Sequence, residues 1–578
     1  MTLAEYISGL EQAGELVRIR TFVDPVLEMA DIADRMVKSP GGGKALLFEN
    51  TGTAFPVLMN MMGSERRMLR ALGVAGYAGI TDRIDALFAA ALSPKKNLWD
   101  KLKLLPALAQ ASQWFPTVSG KRGTCQEIVM EKPDLSQLPV LQTWAHDGGR
   151  FITLPIVHTK DPATGIRNAG MYRMQLFSEN TTGMHWHTHK TGAKHYRDFA
   201  ASARGGVFPV AVALGGDPVY SFCAAAPMPE NMDEYLLAGF LRNRKVALVR
   251  CLTQPVEVPA DADFVIEGYI DPAEAPVVEG PFGDHTGFYS LDDRYPLFHV
   301  TCITHRRHAV YPATVVGIPP QEDAYMSQAI EKIFLTPIRA ALAPEVRDLH
   351  LPFEGVSHNI AIVKIDAAYR GQAVKVAHAL WGAGQMMFNK IMIVTDGETD
   401  ITDYRALWNA IAANYRPQYD TYFSHGPLDI LDHAAAAAGF GGKICIDATI
   451  KSEVGGGVHA TVHDAPPLGA PFAIRFDDGV DTADLRTCAW LLGNNIDAVR
   501  DCRVEHGKLM IDARSKSAKD NAPDKTYPAR WPNIVCADAP TIAAVDAKWH
   551  TLGLGSFIPS PSLKYASLVR PGGAVANG

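Results

Sequence analysis

Apolar residues return every three or four positions from Leu3 to Gly14 and again from Val26 to Met36, the spacing that gives a helix one buried face. After them, "ALLFEN" and "FPVLMN" are short apolar runs with the look of strands. Residues 1–125 are therefore expected to form a mixed α/β domain. The Pro- and Gly-rich stretch "KPDLSQLPVLQTWAHDGGR" reads as a connector. Strands dominate beyond it: "FITLPIVHT", "MYRMQLF", "FPVAVAL", "KVALVR", "FVIEGYI" and "LFHVTCITHR", interrupted by one helix in "ENMDEYLLAGFLR". Many strands with Gly-containing turns predict a barrel-like β domain over residues 126–320. From residue 321 helices and strands alternate, as in "AYMSQAIEKIFLTPIRAAL", "HNIAIVKI", "GQAVKVAHALWGAG" and "KIMIVTD". That alternation predicts a parallel or mixed sheet with helical crossovers. Residues 321–578 thus form a third, α/β domain, turn-rich from about Gly426 and ending in "GLGSFIPSPSLKY", an expected extended arm.

A chain of 578 residues exceeds one hydrophobic core, which agrees with several domains. Fifty-five Lys and Arg against 62 Asp and Glu give a net charge of -7, with no general attraction to nucleic acid. The eight cysteines are scattered without a CxxC pair, as expected in a reducing compartment. The amphipathic, acidic start is unlike a signal peptide, and no run approaches 18 apolar residues, so a cytoplasmic location is expected. "SPKKNLWDKLKLLPALAQ" reads as a solvated helix with one apolar face; a peripheral membrane or partner contact is the alternative. No GxGxxG after a strand, GxxxxGK[ST] or GxSxG occurs, which leaves conventional nucleotide and acyl-transfer enzymes without support.

Three constellations could carry chemistry. In "NAGMYRMQLFSENTTGMHWHTHKTGAKHY", an extended backbone would put His185, His187 and His189 on one face. They would serve either as ligands of one ion or as ordinary polar contacts. Arg173 and Gln175 share a face of the preceding strand, and the oxygen of Asn168 favours Mg, Mn or K over zinc. Asp233 and Glu234 open the helix of "ENMDEYLLAGFLR", either as dipole partners or with one of them as a metal ligand. Glu279 and Asp284 flank a Gly-Pro-Phe-Gly turn. Two acids beside Arg173 would form a coupled network able to hold one proton near neutral pH; the alternative is a loop with ordinary acidic caps.

In order along the chain, "NAGMYRMQLF", "HTHKTGAKHY", "FPVAVALGGDP", "PENMDEYLLAGFLR", "EGPFGDHTGFY", "THRRHAVYPATVVGIPPQED" and "GKICIDATIK" resemble the UbiD family of (de)carboxylases that use prenylated FMN. The resemblance implies an N-terminal α/β domain, a central split β-barrel that binds flavin, and a C-terminal α/β domain. It also implies a homodimer or homohexamer with a C-terminal segment crossing to a neighbour, and a prenyltransferase that supplies the cofactor. By resemblance, Asn168, His189 and Glu234 hold a divalent cation, Mn or else Mg, that bridges to the cofactor phosphate, with K nearby. Met171, Tyr172, Arg173, Gln175, His185, Trp186, His187 and Lys190 are assigned to the cofactor. Arg173, Glu279 and Asp284 match the catalytic trio, one acid delivering the proton that replaces carbon dioxide.

Some positions depart from the polyprenyl-hydroxybenzoate members, which carry Arg and Leu where this chain has His185 and His187, and Arg-Gly in place of Lys190-Thr191. Lys190 supplies a point charge without the arginine fork. The long C-terminal extension is similar to that of longer members, including those proposed to decarboxylate naphthoates. The expected function is a reversible, non-oxidative decarboxylase of a hydroxylated aromatic or naphthoic acid. Alternatives are a carboxylase or decarboxylase of a heteroaromatic or activated aromatic acid, a 3-polyprenyl-4-hydroxybenzoate decarboxylase, and a non-catalytic flavin-binding protein.

Overall fold

The hydroxyl of Thr2 accepts the Glu5 N–H while the Glu5 carboxylate accepts the Thr2 N–H, and this reciprocal cap starts the helix Leu3–Gln12. Its buried residues, Leu3, Tyr6, Ile7 and Leu10, are those the apolar period selects. The second helix starts at Glu28 rather than Val26, because Val26 is extended against Gln142 and Leu27 takes a φ of 71°. The computed structural model describes residues 1–92, 109–202, 205–450, 470–521 and 527–576. Most of "SPKKNLWDKLKLLPALAQ", residues 93–108, lies outside them, as does the glycine-rich "SEVGGGVH".

Three domains follow in order. In the first, Leu16–Ile19, Ala45–Phe48 and Val57–Met59 form a sheet whose fourth strand, Tyr311–Pro312, comes from far along the chain. The central domain carries a seven-stranded sheet, antiparallel throughout. Its main path runs Thr181–Gly183, Leu297–His305, Phe264–Ile270, Phe208–Leu214, Ile156–Lys160, Arg167–Met171. The path is open between its first and last strands. In the third domain the parallel strands Ile360–Ile365, Ile391–Asp396 and Phe440–Asp447 are flanked by antiparallel edges, with helices Gln372–Trp381 and Tyr404–Asn414 between them in sequence. None of the described helices is long and apolar enough to cross a membrane.

Two expected strands are interrupted, and the interruptions matter. "FITLPIVHT" divides before Pro155: Phe151–Ile152 pairs with Met174–Gln175 in a separate ribbon, while Ile156–Lys160 joins the large sheet. A proline cannot donate to a ladder, so a break there is expected. "MYRMQLF" divides likewise, and Tyr172 and Arg173 lie between Arg167–Met171 and Met174–Gln175. The histidine run is not extended as a strand either: pairing stops at Gly183, and Thr188 and His189 sit in a turn.

The C-terminal segment returns across the molecule. Val535 N–H donates to Gly287 O at 2.9 Å, Asn533 O accepts from Tyr289 N–H at 3.0 Å, and the helix Ala539–Lys548 packs on Glu28–Val37. Arg35, fully buried on that early helix, pairs with Asp31 at 2.7 Å and with Asp546 at 2.6 Å, and donates to Ile558 O at 2.9 Å. Residues 533–560 thus pack against the first and central domains within the chain.

Candidate active site

The break after Met171 frees Arg173 from both ladders and turns it toward the hairpin that carries the two acids. Arg173 grips Glu279 with two parallel hydrogen bonds, Nε to Oε1 at 2.8 Å and Nη2 to Oε2 at 3.0 Å. Its Nη1 donates to Asp284 Oδ2 and Nη2 also donates to Ser290 Oγ at 3.2 Å. The guanidinium lies over the Phe282 ring, 4.7 Å from its centroid.

The turn between the acids is held from behind. Gly280, at φ +94°, donates its N–H to Gln175 Oε1 at 2.7 Å, and Gln175 Nε2 donates to Gly148 O at 2.7 Å. Gly283 N–H donates to Asp147 Oδ1 at 2.8 Å, and a Cβ added at Gly283 would stand 2.3 Å from Trp144 Cδ1. Only glycine fits that approach. Gln175 therefore braces the turn that carries the acids and is not among the residues that line the cavity.

Burial opposes charge on Glu279, but Arg173 and His185 outweigh it and hold this carboxyl down at about 2. Burial likewise opposes the charge of Asp284, where His285 and Arg173 prevail and keep the carboxyl well below its usual range. Arg173 and the neighbouring histidines thus favour the charged form of both acids in the free molecule. His185 and His187 are neutral, chiefly through burial. His185 Nδ1 donates to Glu279 Oε2 at 3.0 Å, leaving His185 Nε2 to accept from His187 Nε2 at 2.7 Å. With both nitrogens of His185 engaged, the three alternating histidines are not a metal cluster.

Arg173, His185, His187, Met171, Tyr172 and Lys190 line a cavity of about 340 Å³. Its opposite wall comes from the C-terminal domain and includes His358, Phe388 and Asp429. A larger open groove, about 1330 Å³, between the first helix and residues 128–137 holds none of the candidate residues. Trp186 is buried among Tyr172, Tyr196 and Phe208, so its ring belongs to the core rather than to the cavity wall. Its Nε1 is buried without a partner and faces Gly192, where an added Cβ would be 3.0 Å away. Gly192 lies in the first turn of the helix Thr191–Ala201, which has no side-chain cap and no acid in that turn, and donates its N–H to the Tyr172 hydroxyl at 3.4 Å; Lys190 precedes the helix and makes no ion pair among the described residues. The remaining N–H groups of that first turn and the Lys190 ammonium are donors of the kind a phosphate requires.

The proposed metal ligands are only partly drawn together. Glu234 Oε2 accepts the N–H of Ala169, next to Asn168, at 2.7 Å. Asp233 is committed elsewhere, capping the helix through Tyr235 N–H and pairing with Arg167 at 2.6 Å. This leaves Glu234 as the available carboxyl. Burial pushes it up to about 8, and the buried Asn168 Nδ2 makes no hydrogen bond within 3.5 Å among the described residues. A cation there would restore the carboxylate and use the amide after a flip. The ring neighbours of His189 are instead His187 and Phe388.

Family models of the N-terminal, Rift-related and C-terminal domains of 3-octaprenyl-4-hydroxybenzoate carboxy-lyase match residues 7–87, 116–319 and 324–448 in turn. The chain belongs to the UbiD family of prenylated-FMN-dependent aromatic acid (de)carboxylases. A relative, an uncharacterized protein of Aquifex aeolicus, is 47% identical over 453 residues, covering 78% of this chain and 92% of its own. Among solved structures, the UbiD-class enzyme HmfF from Pelotomaculum thermopropionicum, in complex with FMN, superposes with a TM-score of 0.64 at 28% identity, over 78% of this chain and 94% of its own. Vanillic acid decarboxylase of Sedimentibacter hydroxybenzoicus, in closed form, gives 0.68 at 25% identity, over 81% and 96%.

Three groups at this UbiD site escaped sequence reasoning. His285 follows Asp284 directly and could have been read from "GDHTGF". His358 and Asp429 are single residues in separate loops, without a pattern to mark them.

Proposed function

We infer that this protein is a reversible, non-oxidative decarboxylase of a hydroxylated aromatic or naphthoic acid. The observation that carries the reading is Arg173 bound to both Glu279 and Asp284 at a cavity lined by Met171, Tyr172, His185, His187 and Lys190. The resemblance to HmfF and to vanillic acid decarboxylase supports it.

The start of Thr191–Ala201, which has no side-chain cap, fits the phosphate of prenylated FMN together with Lys190. Asn168, His189 and Glu234 are proposed to hold a divalent cation, Mn or Mg, beside that phosphate, with K as a further ion. Bound there, prenylated FMN supplies the electron sink that an aryl carboxylate needs and that no side chain offers.

This chain's residues handle the charge and the proton. Arg173 orients the substrate carboxylate. A third negative group beside one guanidinium raises the proton affinity of Glu279 or Asp284, so one of them becomes the acid. The C–C bond to carbon dioxide breaks with its electron pair left on the ring carbon. The acid then gives its proton to that carbon, and solvent restores it.

Reconstitution with mature cofactor, followed by assays of carbon dioxide release and solvent-deuterium incorporation across aromatic and naphthoic acids, tests this. Exchange on a hydroxylated acid is expected. No exchange with any acid, while the mature flavin is demonstrably bound, overturns the reading.

A further inference from the structure

We propose that His285, His358 and Asp429 form a second divalent-cation site in the cavity, built from residues other than Asn168, His189 and Glu234. One ligand atom from each lies within 4.8 Å of the others, and all three line the cavity. His285 comes from the catalytic hairpin of the central domain; the other two come from loops of the C-terminal domain, so an ion would tie the domains across the cleft.

Each side chain is held in the manner of a ligand. His285 Nδ1 contacts Asp284 Oδ1 at 3.0 Å, leaving Nε2 for the cavity. His358 Nδ1 donates to Val356 O at 2.8 Å, and its buried Nε2 has no hydrogen-bond partner among the described residues. Asp429 Oδ1 accepts Leu431 N–H at 2.8 Å; among the described residues no Lys or Arg pairs with its carboxylate. A carboxylate or carbonyl behind each imidazole fixes the tautomer and raises the basicity of the free nitrogen. A buried imidazole lone pair facing a carboxylate is unfavourable unless something electropositive lies between them.

The backbone is strained to place His358. Val356 and Ser357 take φ values of 46° and 58°, and a β-branched residue in the left-handed region costs free energy that surrounding contacts must offset. The reward visible in the structure is the aim of His358 Nε2 into the cluster.

Two imidazoles and one carboxylate with open positions suit Zn, Fe, Co or Mn better than Mg or Ca. A small inward movement would bring the three atoms to bond lengths of roughly 2.0–2.2 Å. Metal binding displaces any proton on His285 Nε2 and leaves the Nδ1 contact to Asp284 in place. The open positions face the cavity and would take a phenolate or carboxylate oxygen. That role rests on the decarboxylase reading; the site itself does not.

Full-length protein, stripped of metal and free of flavin, is titrated with Co²⁺. Visible absorption, calorimetry and metal analysis report binding without turnover. The wild type is expected to give a nitrogen-ligand d–d band at one equivalent. His358→Ala and Asp429→Asn should each weaken Co²⁺ binding at least ~10- to 100-fold, with circular dichroism unchanged, whereas Glu234→Gln should keep the band. Should His358→Ala fail to fold, His358→Gln takes its place. No band in the wild type, or a band kept by both the His358 and Asp429 variants, overturns the site. Catechol should shift the band, and an unshifted band with catechol bound overturns the substrate role. Failure of decarboxylation alone leaves the Co²⁺ result standing, so the two readings fail separately.

Discussion

Gly280 donates its N–H to Oε1 of Gln175 at 2.7 Å, and this bond sets the height of the hairpin on which Glu279 and Asp284 stand. Replacing Gln175 with Leu removes the acceptor and leaves the Gly280 N–H unpaired. We predict a fall in kcat of about 10- to 100-fold, the scale of misplacing a catalytic group by an ångström. Flavin affinity should be unchanged, because Gln175 does not line the cavity. Flavin titration beside steady-state kinetics separates the two effects; weakened flavin binding with intact kcat would count against the bracing role.

Arg173→Lys keeps one positive charge but loses the paired geometry toward Glu279 and the second arm toward Asp284. The expected loss in kcat is ~10²- to 10³-fold. With the acids less well compensated, the acid limb of the pH–rate profile should move upward. A variant that retains most of its activity with an unshifted limb would remove Arg173 from the chemistry.

The depressed Glu279 carboxyl makes a prediction for stability. Its ordinary value is 4.5 and the folded protein holds it at about 2. A group depressed on folding contributes stability that is fully present above its unfolded value and is lost as pH falls through its folded value. The difference in unfolding free energy between wild type and Glu279→Gln should therefore be flat above about pH 5, on the order of 3 kcal/mol, and shrink toward about pH 2. Urea titrations at stepped pH measure it. A difference that grows on acidification would reverse the assignment.

At the other end of the molecule, Arg35→Leu leaves Asp31 buried and facing Ser560 without its cation. A loss of about 3–5 kcal/mol is expected, with early proteolysis of the C-terminal segment. Asp546 is 40% exposed, so Asp546→Asn should cost only ~0–1 kcal/mol. Thermal melts and limited proteolysis compare the two; equal effects would place the clamp elsewhere.

The helices of the first and third domains were legible because their apolar stripes are also their buried faces, as Leu3, Tyr6, Ile7 and Leu10 illustrate. The acids and Arg173 were legible through motif resemblance. What pattern could not give were the interruptions. Nothing in the apolar period of "MYRMQLF" says that the ladder ends at Met171, yet that break turns Arg173 toward its acids. The histidine run misled for a related reason: alternation implies one face only while the backbone is extended, and here it turns at Thr188. His358 and Asp429 meet His285 through long-range folding alone, with no local spacing to announce it.

The clamp around Arg35 has a consequence for how the protein comes into being. Asp546 leaves the ribosome 511 residues after Arg35, and Ile558 and Ser560 follow it. Until then the first domain presents an uncovered helix surface and an incompletely solvated ionic pair. Its maturation thus waits for residues 539–560, and a chain stalled before that segment would carry an exposed face for chaperones or proteases to find.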